Sequence, residues 1–150
     1  MTKTGQPPVD RELSQRLAQA IDAEAQACWR NAFLCLAHLD GAAVYVEGWA
    51  VMRGTPCEHG WLEFDGHIVD PTLAYLDGPP VVYFPGLRFT AEEARRTIET
   101  RSDTCQPGDL PLAWRWGWGG EDAPEYVAAF DAALAYTQQA RQVAQGDAGK

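Results

Sequence analysis

The sequence predicts an α+β domain in which helices come first, a small antiparallel sheet follows, and further helices end the chain. Apolar residues recur at helical spacing near the N-terminus, and an alanine-rich amphipathic stretch lies near the C-terminus. Between them are segments rich in valine and aromatic residues, which are typical of strands. The pair Asp65-Gly66 within these segments favours a two-residue hairpin turn, so we expect antiparallel neighbours.

The length and composition are those of one globular domain. The chain has 150 residues, 46% of them hydrophobic, and lacks an apolar run of the roughly 20 residues that a membrane span needs. We expect a disordered lead at residues 1–8, a single domain at residues 9–145 and a disordered tail at residues 146–150. The N-terminus lacks the layout of a secretory signal, so we expect a cytoplasmic protein with free thiols.

The charge balance excludes some partners. The formal net charge is −9, which argues against a nucleic-acid backbone or an anionic membrane as the main partner. We interpret the acidity as a contribution to solubility. The sequence carries no signal of an oligomeric state.

The N-terminal part of the chain predicts two consecutive helices. One apolar residue occurs at every fourth position, at Leu13, Leu17, Ile21 and Ala25. Over residues 32–37 the run AFLCLA is apolar on every side, which predicts a helix buried all round. This change of pattern places a break somewhere between residues 22 and 27.

The middle of the chain predicts four strands. The segment AAVYVEGWAVM predicts a strand from about Ala43 to Met52. The segment EHGWLEFDGHIVDPT supplies two more strands, joined at Asp65-Gly66 and closed by Pro71. The short run VVYF, at residues 81–84, is a fourth strand candidate.

Two helices are predicted after the strands. Thr90 and Glu93 have the spacing of a capping box, which predicts a helix to about Arg101. Pro124 is suited to the first turn of a last helix, which we expect to run to about Gln145.

The hairpin turn also predicts which side chains share a face. If Asp65-Gly66 is the turn, side-chain alternation places four residues on one face of the hairpin: His59, Trp61, Asp70 and Thr72. His59 and Asp70 are then diagonal neighbours, roughly 7–8 Å apart at the backbone, and an imidazole can reach a carboxylate over that distance. His67 falls on the opposite face at the tip, where we expect it to be solvated.

A histidine oriented by an aspartate is a general base that requires a nucleophile. Cys28, in QACWRNA, lies where the chain enters the second helix. A cysteine at a helix N-terminus beside an imidazolium is typically a thiolate at neutral pH and attacks acyl carbons readily. Cys57 is a rival because it lies two residues before His59, whereas Cys35 lies in the apolar run and is predicted to be a core residue.

Three motifs in this order resemble the transglutaminase-like branch of the papain-like cysteine enzymes. They are Cys28-Trp29 at a helix start, His59-Gly60-Trp61 after the strand YVEGW, and Asp70-Pro71-Thr72. The resemblance covers about residues 26–73. It implies a papain-like or transglutaminase core, with a buried N-terminal helix packed on a small antiparallel sheet, and the triad Cys28, His59 and Asp70. Alanine typically stands in the family where this chain has Gly60.

The resemblance also suggests an oxyanion hole. The backbone N–H of Cys28 is the expected donor, and Gln26 is a candidate second donor because papain-like enzymes use a glutamine side chain in this way. A solvated linker residue is the alternative interpretation of Gln26, and Asn31 is a more distant candidate donor.

Tryptophans are the candidate substrate-binding residues, namely Trp49, Trp61 and Trp116. The run AWRWGWGG places Trp116 and its tryptophan neighbours on one face if it is extended. Such a face can cover the core or form the rim of a substrate groove. The histidines and cysteines lack the spacing of a metal site, so we expect neither a metal nor another cofactor.

Two functions are compatible with these patterns. The first is a cysteine-dependent enzyme that acts through a thioester on amides of a protein or peptide substrate, as a protease, deamidase or transglutaminase-like enzyme. The alternative is a catalytically inactive domain of the same fold that binds a protein partner.

Overall fold

The computed structural model describes residues 5–74, 76–100, 111–112 and 123–149. These residues form four α-helices and four β-strands, which confirms the predicted α+β class. In chain order the elements are α1 (Arg11–Ala20), α2 (Cys28–Cys35), β1 (Val44–Met52), β2 (Thr55–Phe64), β3 (His67–Val69), β4 (Val82–Thr90), α3 (Ala91–Glu99) and α4 (Pro124–Ala148).

The four strands form one antiparallel sheet in the order β3-β2-β1-β4. Phe64 pairs with His67 and Leu62 pairs with Val69, which confirms the register predicted from the turn. Asp65 and Gly66 have φ values of 50° and 73°, and a type I′ turn requires positive φ at both positions. The hairpin thus determines which β2 side chains lie near the residues that follow β3.

The N-terminal helices match the prediction in position but not in burial. The predicted break is confirmed, because α1 ends at Ala20 and α2 begins at Cys28. The prediction that the second helix is buried all round is wrong, since Phe33 and Leu34 are half-buried. The sheet and α1 pack against only part of the circumference of α2. The buried residues of α2 are Cys28, Asn31, Ala32 and Cys35.

The later helices begin where the sequence predicts. Thr90 and Glu93 form both hydrogen bonds of the capping box at the start of α3. Pro124 lies in the first turn of α4. α4 continues to Ala148 and therefore includes residues 146–148, which the sequence assigns to a disordered tail. No described helix is both long and apolar enough to cross a membrane.

β4 is longer than the predicted VVYF segment and continues through Pro85 to Thr90. A proline is tolerated here because β4 lies at the edge of the sheet. The register between β1 and β4 shifts between Glu47 and Gly48. A methyl group added to Gly48 would lie 2.8 Å from the backbone nitrogen of Gly86, so the close approach of the two strands requires this glycine.

Buried side chains lie on both faces of the sheet, since Tyr45 and Val46 of β1 are both buried and successive strand side chains point to opposite sides. Tyr45 packs in the larger core, which contains residues of α1, α2 and α3 and the residue after α2, among them Leu17, Ala32, Ala94 and Leu36. Val46, on the opposite side, belongs to a second cluster with Ala50, Trp61, Ile68 and Tyr83. α4 covers a further part of the sheet through Ala133, which packs on Val51 and Val82.

Residues 5–9 form a strap between the two edge strands. The side chain of Gln6 is hydrogen-bonded to β4 and to the residue before it. The carbonyl of Pro8 accepts a hydrogen bond from the N–H of Ile68 in β3, and Val9 forms a parallel bridge with the same residue. The sequence assigns residues 1–8 to a disordered lead, but Gln6 and Pro8 make these contacts because the edge strands present backbone groups to them.

Candidate active site

His59 and Asp70 form a buried hydrogen-bonded pair. His59 Nε2 lies 2.7 Å from Asp70 Oδ2, and the two residues are 3% and 0% exposed. The predicted pairing is therefore present in the structure. The hairpin register places the two residues on the same face, and the turn after β3 directs the carboxylate toward β2.

The Asp70 carboxylate accepts four hydrogen bonds. Oδ1 accepts the backbone N–H groups of Thr72 and Leu73 at 2.9 and 3.1 Å. Oδ2 accepts the hydroxyl of Tyr83 at 2.8 Å in addition to the contact with His59. A buried carboxylate with this many donors is held in the ionised form and in one orientation.

Burial and the attraction between His59 and Asp70 shift the pKa of each residue in opposite directions. Burial lowers the pKa of His59, but the charge and hydrogen bond of Asp70 and the contact with Cys28 outweigh it and raise this pKa to about 10. Burial raises the pKa of Asp70, but the charge of His59 and the hydrogen bonds from His59, Tyr83 and Leu73 hold it below its usual value. At neutral pH the pair is therefore an imidazolium and a carboxylate.

Cys28 is the first residue of α2 and is buried. Its side chain lies close enough to His59 to contribute to the raised pKa of the histidine. Because Nε2 is bound to Asp70, Nδ1 is the ring nitrogen that remains for the thiol. In the turn before the helix, Gln26 has a φ of 63°. Residues other than glycine seldom adopt this backbone conformation. The structure thus brings Cys28, His59 and Asp70 together in that order.

The other described cysteines, Cys35 and Cys57, are less suited to nucleophilic attack. Burial raises the pKa of Cys35 to about 12, and this residue lies in the core as predicted. Burial and the nearby Cys28 and Asp70 also raise the pKa of Cys57, and its thiol donates to the carbonyl of Ala50 at 3.3 Å. All three described cysteines are free, and Cys105 lies outside the described residues.

No protein-family model, no curated protein and no solved structure matches this chain. The chemistry assigned to the site therefore depends on its own geometry.

The two candidate amide donors have different surroundings. Gln26 is exposed and lies two residues before Cys28, so its role in an oxyanion hole stays a prediction. Asn31 is fully buried. Its amide nitrogen donates to the carbonyl of Glu24 at 2.8 Å and to the hydroxyl of Thr72 at 2.9 Å. Because an amide nitrogen has two hydrogens, Asn31 has none left for an oxyanion and instead connects α2 to the loop after Asp70.

The three tryptophans named as substrate-binding candidates lie in different places. Trp61 is 1% exposed and stacks on His59 with a centroid distance of 6.0 Å, so its position suits support of the histidine rather than contact with a substrate. Trp49 packs against Phe130 of α4 at 4.7 Å. Its buried indole N–H has no hydrogen-bond partner among the described residues. Trp116 lies outside the described residues.

Two residues of the site were not identified from the sequence. Tyr83 donates to the carboxylate of Asp70, and Ser14 of α1 accepts the backbone N–H of Asp70 at 2.9 Å. Tyr83 and Ser14 lie 13 and 56 residues from Asp70, outside the hairpin segment, and neither belongs to a motif, so only the tertiary structure identifies them. Within the described residues, no group of His, Cys, Asp and Glu side chains is arranged to hold a metal ion.

Gly60 allows α2 to approach β2 closely, and Gly60→Ala should destabilise the protein by about 1–3 kcal/mol. A methyl group at this position would lie 2.7 Å from Cδ1 of Trp29, so the indole beside Cys28 must move. Urea unfolding measures the change. Gly41→Ala is the matched control, because no atom lies within 4 Å of the added methyl group. Equal losses in the two variants would contradict the contact between Gly60 and Trp29.

The protein should lose stability as the pH rises above 6.5. The raised pKa of His59 means that its contribution is complete below pH 6.5 and is lost as the pH approaches about 10. The lowered pKa of Asp70 has the opposite effect, since its contribution is present above pH 3.8 and is lost as the pH falls through the folded-state pKa.

Urea unfolding between pH 6.5 and about pH 8 measures this dependence, because unfolded cysteines titrate mainly above that range. We expect a decrease of up to about 1.4 kcal/mol per pH unit, as for one proton lost on unfolding. The variant His59→Gln should show a flatter dependence. The same slope in wild type and variant would show that another group causes it.

Proposed function

We propose that the protein is a papain-like, transglutaminase-like cysteine enzyme that transfers acyl groups from protein or peptide amides through a thioester at Cys28. The observation that carries the proposal is the chain of contacts from Cys28 through His59 to the buried Asp70. A nucleophile, a base and a group that orients the base are the recurring parts of such sites. Hydrolysis is the expected outcome because water is always available as the acceptor.

In the first half of the reaction, His59 starts as an imidazolium and serves as the proton donor. The Cys28 thiolate attacks the carbonyl carbon, a C–S bond forms, and the carbonyl oxygen becomes an oxyanion near the start of α2, since the first N–H groups of a helix have no acceptor within the helix. His59 then donates its proton to the leaving nitrogen, the C–N bond breaks, and the amine departs. Asp70 stays ionised throughout and keeps the ring oriented.

In the second half the neutral His59 accepts a proton from water or from an amine as that molecule attacks the thioester carbon. The C–S bond breaks, Cys28 leaves as a thiolate, and His59 is again an imidazolium. With water the product is a carboxylic acid, and with an amine it is a new amide. The same three residues therefore serve hydrolysis, deamidation and transamidation.

Electrophilic peptide probes test the proposal directly. We expect a library of peptidyl thiol-reactive probes to modify Cys28 faster than Cys57 at neutral pH, as measured by peptide mapping with mass spectrometry. The matched variants Cys28→Ser and Cys57→Ser should respectively abolish and preserve the fast reaction. Peptide products released by wild type and not by Cys28→Ser identify the substrate and the acceptor. Modification of Cys28 no faster than of Cys57 would rule out the proposal.

A second candidate function is the inactive domain that binds a protein partner. It is favoured by a row of apolar side chains on α4, since Val127, Phe130 and Leu134 are each at least 36% exposed. Apolar residues that recur along one helix are common in protein-binding surfaces. This candidate predicts partner binding that Cys28→Ser leaves unchanged and that Phe130→Ala weakens, without any fast thiol reaction.

A further inference from the structure

The hydroxyl of Tyr83 is bound to the same oxygen of Asp70 as His59. Tyr83 is 6% exposed, and its hydroxyl donates to Asp70 Oδ2 at 2.8 Å. His59 Nε2 lies 2.7 Å from that oxygen. Since Oδ1 is already bound to two backbone N–H groups, Tyr83 is the one side chain besides His59 that bonds to the carboxylate among the described residues. The hydroxyl therefore fixes the position of the oxygen that orients the histidine.

The ring of Tyr83 also contacts the aromatic rings of Trp61 and His59. Its centroid lies 5.1 Å from that of Trp61 and 6.3 Å from that of His59. Trp61 in turn stacks on His59 with an interplanar angle of 19°. The three rings restrict one another, so a displacement of Tyr83 would change both the carboxylate and the packing around the imidazole.

Tyr83 is itself anchored by the strap formed by residues 5–9. The backbone N–H of Tyr83 donates to Gln6 Oε1 at 3.0 Å, and the Gln6 amide donates to the carbonyl of Val81 at 3.2 Å. The glutamine side chain thus pairs with the outer edge of β4 as a neighbouring strand would. This anchor holds the backbone from which the Tyr83 ring reaches Asp70.

We propose that Tyr83 is a positioning residue of this site, which acts through Asp70 to hold His59 in the orientation that presents Nδ1 to Cys28. The proposal rests on the proposed function of Cys28, His59 and Asp70 and adds a fourth residue to it. Tyr83 does not contact the reacting atoms. Its effect is to complete the hydrogen bonding of the buried carboxylate, which otherwise has a single donor on Oδ2.

The variant Tyr83→Phe tests the role of the hydroxyl, because it keeps the ring and its contacts. The hydrogen bond from Tyr83 lowers the pKa of Asp70, so its removal should raise that pKa, as measured by carbon-13 NMR of the side-chain carboxyl groups. The alkylation rate of Cys28 by iodoacetamide near neutral pH should fall by about 10-fold to 100-fold, the range expected for a hydrogen bond to a charged group.

Tyr45→Phe is a closely matched control. Tyr45 is also buried, and its hydroxyl also donates to a buried carboxylate, that of Glu47, at 3.0 Å. We expect Tyr45→Phe to leave the pKa of Asp70 and the alkylation rate of Cys28 unchanged. Wild-type values in Tyr83→Phe, or equal changes in both variants, would overturn the proposal.

Two further results distinguish a failure of the inference about Tyr83 from a failure of the proposed function. Uniform incorporation of 3-fluorotyrosine makes each phenol a stronger donor, so the pKa of Asp70 should fall in the wild type and not in Tyr83→Phe. This measurement requires neither a substrate nor a reactive thiol. A fast Cys28 reaction that depends on His59 but not on the Tyr83 hydroxyl would overturn this inference alone, and a slow reaction in wild type would overturn the proposed function.

Discussion

Replacing His59 with glutamine should slow the alkylation of Cys28 near neutral pH by about 100-fold to 10,000-fold, the usual contribution of a general acid or base. Glutamine can still donate a hydrogen bond to Asp70, so the buried carboxylate keeps a partner. It cannot carry the positive charge that His59 holds beside Cys28. Iodoacetamide labelling followed by mass spectrometry gives the rate for each cysteine separately.

His67→Gln is the control for this experiment. His67 lies at the hairpin tip, where its Nδ1 lies 2.8 Å from the carbonyl of Asp65, and it faces away from the pair. We expect wild-type labelling of Cys28 in this variant. If His59→Gln also labels at the wild-type rate, then the contact between His59 and Cys28 does not activate the thiol, and the enzymatic function must be abandoned.

The largest expected effect on folding comes from Asp70→Ala, which should lower the free energy of unfolding by about 3–5 kcal/mol, as when one partner of a buried ion pair is removed. The substitution leaves His59, the Tyr83 hydroxyl and two backbone N–H groups without their acceptor. Each buried donor left unpaired adds to the cost. Urea unfolding at constant pH measures the change.

Glu63→Ala provides the comparison on the surface. Glu63 forms an ion pair with Arg88 at 3.0 Å, and the arginine side chain is 52% exposed. Because exposed pairs contribute little, we expect a loss of less than about 1 kcal/mol. A similar small loss for Asp70→Ala would mean that water or another group replaces the carboxylate, and the account of Asp70 as the centre of the site would be wrong.

The effects expected for these variants depend on how the site is assembled from distant parts of the chain. α2 contributes Cys28, β2 contributes His59, and the turn after β3 contributes Asp70. Asn31 of α2 bonds to Thr72 in that turn. Because this bond joins α2 to the turn that holds Asp70, we expect the effects of substitutions at Asn31 and Thr72 to be non-additive, and double-mutant cycles would measure this coupling.

Local rules predicted the elements that depend on local chemistry. The Asp65-Gly66 turn determines the hairpin register, since its φ values and the alternation along each strand leave one pairing. The Thr90 capping box and Pro124 mark the starts of α3 and α4, because both signals act within a single helical turn. The predicted VVYF strand is shorter than β4, which continues through Pro85 to Thr90. A proline is tolerated within a strand only at a sheet edge, and the local sequence does not show which strand lies there.

The sequence by itself determined the α+β class through the order of its helical and strand patterns. It also determined the hairpin and the pairing of His59 with Asp70, because both follow from turn chemistry and side-chain alternation within a short segment. Only the tertiary structure decided that α2 brings Cys28 to His59 and that Tyr83 and Ser14 hold Asp70. These contacts join residues far apart in the chain. They depend on how helices pack on the sheet, and no local pattern encodes that packing.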